Sequence, residues 1–243
     1  MKQLLFGAAL AVLFLSCSKD EEQMRVQTSE QTARFGWQIV QEGIMTRAVT
    51  ESDAVAKLRS LMPTDADINT FTIHEVALNK DIAVTLGKEY RLRTGMYTAD
   101  YTYARNVFKY EDLHVCGFPT IRIQYEWEVR NGVSEYTLPA RYECCAIVWD
   151  TQDAALTING HSAESSTQQQ GDGVRAVFLS DIEPERTYTI VLTPNDTEKY
   201  RETTWTVTGA QLTAGHYYVV QCNGKYEQAA HVFMLDDMEQ GTL

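Results

Sequence analysis

The sharpest pattern along the chain is TIRIQYEWEV at residues 120–129, where Ile121, Ile123, Tyr125, Trp127 and Val129 alternate with Arg122, Gln124, Glu126 and Glu128. A period of two places the first set on one face of a strand and the second on the other, the mark of a half-buried antiparallel strand. Arg130-Asn131-Gly132 follows. Asn-Gly is a strong tight-turn dipeptide, so SEYTLPARY is predicted to return as the hairpin partner, with Pro139 marking an edge or a strand end. FTIHEVAL (71–78) alternates less cleanly. Farther on, YECCAIVW (142–149), AALTIN (154–159), VRAVFLS (174–180), RTYTIVLT (186–193), ETTWTVT (202–208), HYYVVQC (216–222) and QAAHVFML (228–235) are strand candidates separated by Gly, Asn, Asp and Pro turns. Short strands at this spacing argue an all-β sandwich.

Helical spacing occurs once. In TESDAVAKLRSLMP, Ser52 is placed to cap a helix whose apolar positions are Val55, Leu58, Leu61 and Met62, and Pro63 ends it. The polar stretch AESSTQQQGDG (163–173) reads as a surface loop, because strands continue on both sides of it.

The first residues follow a different logic. LLFGAALAVLFL (4–15) is uncharged and follows Lys2, which gives the basic and apolar regions of a secretory signal. It is too short for a membrane span, which needs roughly 20 residues. Ser16-Cys17 after this run resembles the lipobox of bacterial lipoproteins, with Phe14 where those have Leu. The resemblance implies acylation of Cys17 and removal of residues 1–16. The following Lys19, Asp20, Glu21 and Glu22 look like the signal that sends Bacteroidetes lipoproteins to the outer face of the outer membrane. Residues 17–50 then read as a lipidated tether, with a strand predicted over 35–40.

Charge narrows the partners. The chain has 21 Lys and Arg against 33 Asp and Glu, a formal charge of −12, and losing residues 1–16 removes only Lys2. Such a chain lacks the basic footprint of a nucleic-acid binder and is repelled by anionic lipid, so membrane attachment rests on the acyl chains.

TYTIVLTPNDTEKYRETTWTVTGAQLTAGHYYVVQCNGK (187–225) carries a Thr-rich strand, then Leu212-Thr213-Ala214-Gly215 leading into His216-Tyr217-Tyr218 and a strand ending at Asn223-Gly224. This stretch resembles the C-terminal domain of Bacteroidetes fimbrillin-like proteins. The resemblance implies two tandem transthyretin/Ig-like β-sandwich domains, at 51–140 and 141–243, with one short N-terminal helix. It also implies a non-enzymatic fimbrial subunit, anchor or adhesin whose partners are other fimbrial subunits or a host surface. In the family's shaft subunits an arginine-specific protease removes the lipidated segment; here Arg34 and Arg47 flank FGWQIV and are the candidate processing sites.

Other chemistry is thin. No serine lies in a G-x-S-x-G elbow, and His161-Ser162 are sequence neighbours without an evident orienting acid. His114, Cys116, Cys144 and Cys145 are the residues a zinc site would recruit, but C-x-x-C and H-x-x-x-H spacings are absent, so no metal or other cofactor is expected. Four cysteines besides Cys17 (Cys116, Cys144, Cys145 and Cys222) permit disulfides in an exported chain without fixing any pairing. Tyr97, Tyr101 and Tyr103 share a strand face. Exposed, they would stack on a glycan, as in a carbohydrate-binding lipoprotein of a glycan-uptake system; buried, they would pack between sheets.

Overall fold

The computed structural model describes residues 29–40, 53–167, 169 and 173–222, together with the backbone of 239–242. The chain runs through β1 (Glu30–Ile39), α1 (Asp53–Leu61), β2 (Thr70–Glu75), β3 (Lys80–Thr85), β4 (Glu89–Arg93), β5 (Gly95–Tyr103), β6 (Val107–Lys109), β7 (His114–Cys116), β8 (Ile121–Val129) and β9 (Glu135–Tyr142). It continues through β10 (Cys144–Asp150), β11 (Ala154–Ile158), β12 (His161–Ser162), α2 (Ala163–Thr167), β13 (Val174–Ser180), β14 (Thr187–Pro194), β15 (Thr203–Thr208), β16 (His216–Val219) and β17 (Glu239–Thr242). The protein is mostly β-sheet, as its periodicity predicts. The strand candidate at 228–235 lies outside the described residues.

Seven strands form the first sheet, in the order β3-β2-β5-β8-β9-β1-β4. β8 pairs with β5 from Gly95↔Val129 to Tyr103↔Ile121 without a break, so the alternation of its sequence is preserved in space. Ile121, Ile123, Trp127 and Val129 are buried with Ile73, Tyr97, Leu138 and Phe35 in one core. FTIHEVAL, by contrast, is strand only to Glu75 and closes with a single 3-10 turn over Val76–Leu78.

β9 returns beside β8 as the Asn-Gly turn predicts, but Pro139 is at neither an edge nor a strand end. β9 sits between β8 and β1, and Pro139 is inside it, paired with Gln38 of β1. The reason lies in which way its nitrogen faces. The Val40 N–H bonds to the Ala140 carbonyl at 2.9 Å, so Ala140 directs its main-chain groups to β1 and Pro139 directs its own to β8. On that side the antiparallel ladder stops at Ile123↔Ala140, one position before a donor from residue 139 would be needed.

The other ten strands form a six-stranded sheet, β17-β16-β10-β13-β7-β6, and a four-stranded sheet, β12-β11-β14-β15. They face each other in a sandwich-like arrangement across a core that includes Ile147, Trp149 and Leu179 from one and Leu156, Ile190 and Trp205 from the other. The opposite face of the six-stranded sheet buries Ala146, Val148, Phe178 and Tyr217 under Ala54, Leu58 and Leu61 of α1. β10 is therefore covered on both sides, which is why CCAIVW is an unbroken apolar run. Cys144 belongs to one core and Cys145 to the other.

Strand partners do not divide at residue 140. β6 and β7 precede β8 in the chain yet join β13 in the six-stranded sheet, where α1 also packs. The polar stretch at 163–173 is not all loop, since it opens with α2. Ser162 caps that helix by accepting the Ser165 N–H, and the Gln169 amide then binds the Gly117 and Ala176 carbonyls at 3.2 and 2.7 Å. A Cβ built on Gly117 overlaps the Thr167 carbonyl, so α2 is seated directly on the residue after β7. Gly117→Ala should therefore lower the urea midpoint by the equivalent of about 1–3 kcal/mol, the usual cost of overpacking. An unchanged midpoint would mean that α2 does not lie there.

Candidate functional site

β1 is the element whose surroundings differ most from an ordinary strand. It is antiparallel to β4 from Glu30↔Arg93 to Arg34↔Glu89 and parallel to β9 from Arg34↔Glu135 to Ile39↔Ala140. Both flanking strands come from later in the chain, so β1 is inserted between them. The Arg34 N–H bonds to the Ser134 carbonyl at 2.7 Å, and Ser29 Oγ donates to Asn131 Oδ1 at 2.6 Å. Phe35 supplies the apolar grip. Its ring lies 5.9 to 6.3 Å from those of Phe71, Tyr90, Trp127 and Tyr136. Chemically this is a seat for an extended segment, held by main-chain bonds along both edges and by one aromatic anchor.

Arg34 lies inside β1 and is ion-paired to Glu89 of β4. Both side chains are about half exposed, so the pair is worth at most about 1 kcal/mol. Cutting after Arg34 would leave Phe35–Ile39 attached to the rest of the chain, whereas cutting after Arg47 would detach all of β1. Arg47 lies outside the described residues, as do Cys17, Lys19, Asp20, Glu21 and Glu22.

The tyrosines are less available than an exposed stacking platform requires. Tyr97 is 0% exposed; its hydroxyl donates to the Arg93 carbonyl at 3.1 Å, and burial, with Glu75 nearby, pushes its pKa up to about 12. Tyr101 and Tyr103 are half-buried against the same core, and burial raises both pKa values.

His161 does have an acid that sequence reading missed. Its Nε2 is 3.5 Å from Asp112 Oδ1, the Asn159 amide holds the other Asp112 oxygen at 2.9 Å, and the ring stacks on Tyr110 at 3.6 Å. Asp112 is 49 residues earlier, so no local pattern announces it. No described serine hydroxyl bonds to His161, and Ser162 Oγ is engaged as the cap of α2. Among the described residues, the arrangement is an imidazole anchored by Asp112 and Tyr110 with no nucleophile hydrogen-bonded to it. Cys116, Cys144, Cys145 and Cys222 are free thiols. Among the described residues, no group of three or more His, Cys, Asp or Glu is placed to hold a metal ion, and no helix is long and apolar enough to cross a membrane.

No protein-family model, curated protein or solved structure matches this chain.

Phe35→Ala should cost about 3–5 kcal/mol of stability, the range for truncating a buried phenylalanine. β1 would then fray, and trypsin would cut the native chain after Arg34 faster than it cuts the wild type. An unchanged native cleavage rate would show that the ring does not hold the strand.

Burial pushes the Cys145 thiol up to about 12 and the Cys144 thiol well above its usual range. A thiol kept neutral by the fold contributes stability below its unfolded pKa of about 8.5 and loses it as pH rises toward the folded value. Iodoacetamide at pH 8.5 should leave both unmodified in the native chain and alkylate both in urea. Mass-spectrometric detection of native labelling at either cysteine would contradict their burial.

Proposed function

We propose that this chain is a non-enzymatic, lipid-anchored cell-surface protein, a subunit or anchor of a fimbria-like assembly that engages its neighbours by strand pairing. The observation that carries the reading is the inserted seat of β1 between β9 and β4. A seat of this form accepts an extended segment from the same chain or from another, since main-chain bonds supply much of the affinity and the Phe35 pocket supplies register. The fimbrillin resemblance of residues 187–225 and the lipobox resemblance at Cys17 support it from independent stretches of sequence. Under this reading, the seven-stranded sheet with its core is the first of two transthyretin-like sandwich units and the paired sheets are the second. Acyl chains on Cys17 supply the membrane attachment, and Lys19-Asp20-Glu21-Glu22 direct the protein to the outer face of the outer membrane.

Whether the chain is an anchor or a shaft subunit turns on β1. An anchor keeps Cys17, its lipid and β1; a shaft subunit loses them to cleavage, and only a cut after Arg47 vacates the whole seat. Retention is the reading we favour. N-terminal sequencing of surface protein should find a blocked, acylated Cys17, and a start at Ala48 would instead make this a shaft subunit. Cys17→Ala should abolish fatty-acid incorporation and membrane retention. Replacing residues 19–22 by alanine should keep the lipid label and remove protease accessibility on whole cells. Equal labelling of wild type and Cys17→Ala would defeat the lipoprotein reading.

A further inference from the structure

β8 and β9 are consecutive hairpin strands, yet they pair only from Ile121↔Tyr142 to Ile123↔Ala140. The Glu143 N–H bonds to the Thr120 carbonyl at 2.9 Å, so the positions that exchange hydrogen bonds recur at 122/141 and then 124/139. Pro139 has no N–H to give there. Past that point, Gln124–Val129 and Glu135–Pro139 run side by side without a ladder, while β9 stays bonded to β1 along its other edge. At the turn the strands are tied again. The Arg130 N–H donates to the Tyr136 hydroxyl at 3.2 Å, and that hydroxyl donates to the Val133 carbonyl at 3.4 Å. The result is a slot of about 480 Å³, fastened at both ends and open along its length.

Its lining is unusual for this sheet. Tyr125 falls by parity on the core side, opposite Ala99 and between Ile123 and Trp127, but it is 42% exposed where those two are 0% and 7%. Its ring is nearly parallel to that of Trp127, at 8° and 6.1 Å. The indole N–H of Trp127, which lines the slot, has no acceptor among the described residues. Glu126, Glu128 and Glu135 also line the slot, at positions that alternate to the face opposite Tyr125 and Trp127, and Glu128 holds Arg130 at 2.7 Å.

We propose that this slot binds a neutral sugar ring of a glycan. The apolar C–H face of a pyranose packs on the exposed Tyr125 ring, and its hydroxyls exchange bonds with the Trp127 indole N–H and the main-chain groups of β8 and β9 that lie along the slot. The excess of acidic residues on the two strands, Glu126, Glu128 and Glu135 against Arg130, repels uronic, sialic and sulfated sugars. An extended peptide is disfavoured because a strand must run through the sheet, and both ends of the slot are fastened. The site does not rest on the strand-assembly reading, since lipid labelling can fail without touching it.

The test is an array of neutral gluco-, manno-, xylo- and N-acetylglucosamine oligosaccharides beside oligogalacturonates, probed with the full chain. At least one neutral class should be retained and the galacturonates should not. For the retained oligosaccharide, Tyr125→Ala should weaken binding about tenfold or more, as loss of an aromatic stack does, while Tyr125→Phe keeps it. Pro139→Ala restores the missing donor, lets the ladder close over the slot, and should lower affinity while the urea midpoint holds or rises. Retention of galacturonates alone, retention of nothing, or wild-type affinity in both Tyr125→Ala and Pro139→Ala would overturn the proposal.

Discussion

Between Glu135 and Pro139, β9 is bonded on one side only, and that side is β1. Among the described residues, β4 has no other ladder partner. One N-terminal strand therefore holds β4 and the Glu135–Pro139 stretch of β9 in the first sheet, and its Phe35 touches rings from β2, β8 and β9 and from Tyr90 of β4. A ten-residue element that completes two neighbours contributes far more to the sheet than its own buried area. Without it, two edges stand open and a core loses its central ring.

The stretch of β9 that lacks a ladder to β8 begins at a residue with no hydrogen-bond donor, Pro139. A proline normally avoids interior strands because it removes a ladder bond. Pro139 is tolerated because its nitrogen faces the side on which β8 has already departed, and because β1 pairs the other edge with parallel bonds that do not need it. The cost of the lost ladder falls on β8–β9, whose separation exposes Tyr125 and leaves rows of main-chain groups for another partner. Stability given up at one edge thus appears as binding capacity at the same edge.

Much of this was legible in the sequence where the determinants are local. The alternation of residues 120–129, the Asn-Gly turn and the spacing of Val55, Leu58 and Leu61 each have a short-range cause, and each appears as an element in the fold. What α1 packs against was not legible, because its apolar stripe fits any flat apolar face; it covers the six-stranded sheet formed mainly by the later strands. The excursion of β6 and β7 into that sheet was equally silent, being set by pairing with β13 some 60 residues away. α2 was missed although Ser162 is a good capping residue, since a short helix offers little periodicity against a polar background. Pro139 suggests an edge or a strand end and is at neither, because the direction of its nitrogen, which no local pattern reveals, decides where a proline is tolerated.

The seat of β1 and the slot of Tyr125 share a wall. β9 forms one side of each, and along Glu135–Pro139 it is β1 that keeps this wall in place. A ligand that bridges β8 and β9 binds only the arrangement in which that wall is formed, so it stabilises the seated state of β1. By linkage, withdrawing β1 must weaken the ligand by the same free energy. The two surfaces are therefore coupled through one strand. If the proposed strand-mediated assembly replaced β1 with a neighbour's strand, the slot would be recovered only when the new strand filled the seat, and glycan contact would follow the assembled rather than the vacated state.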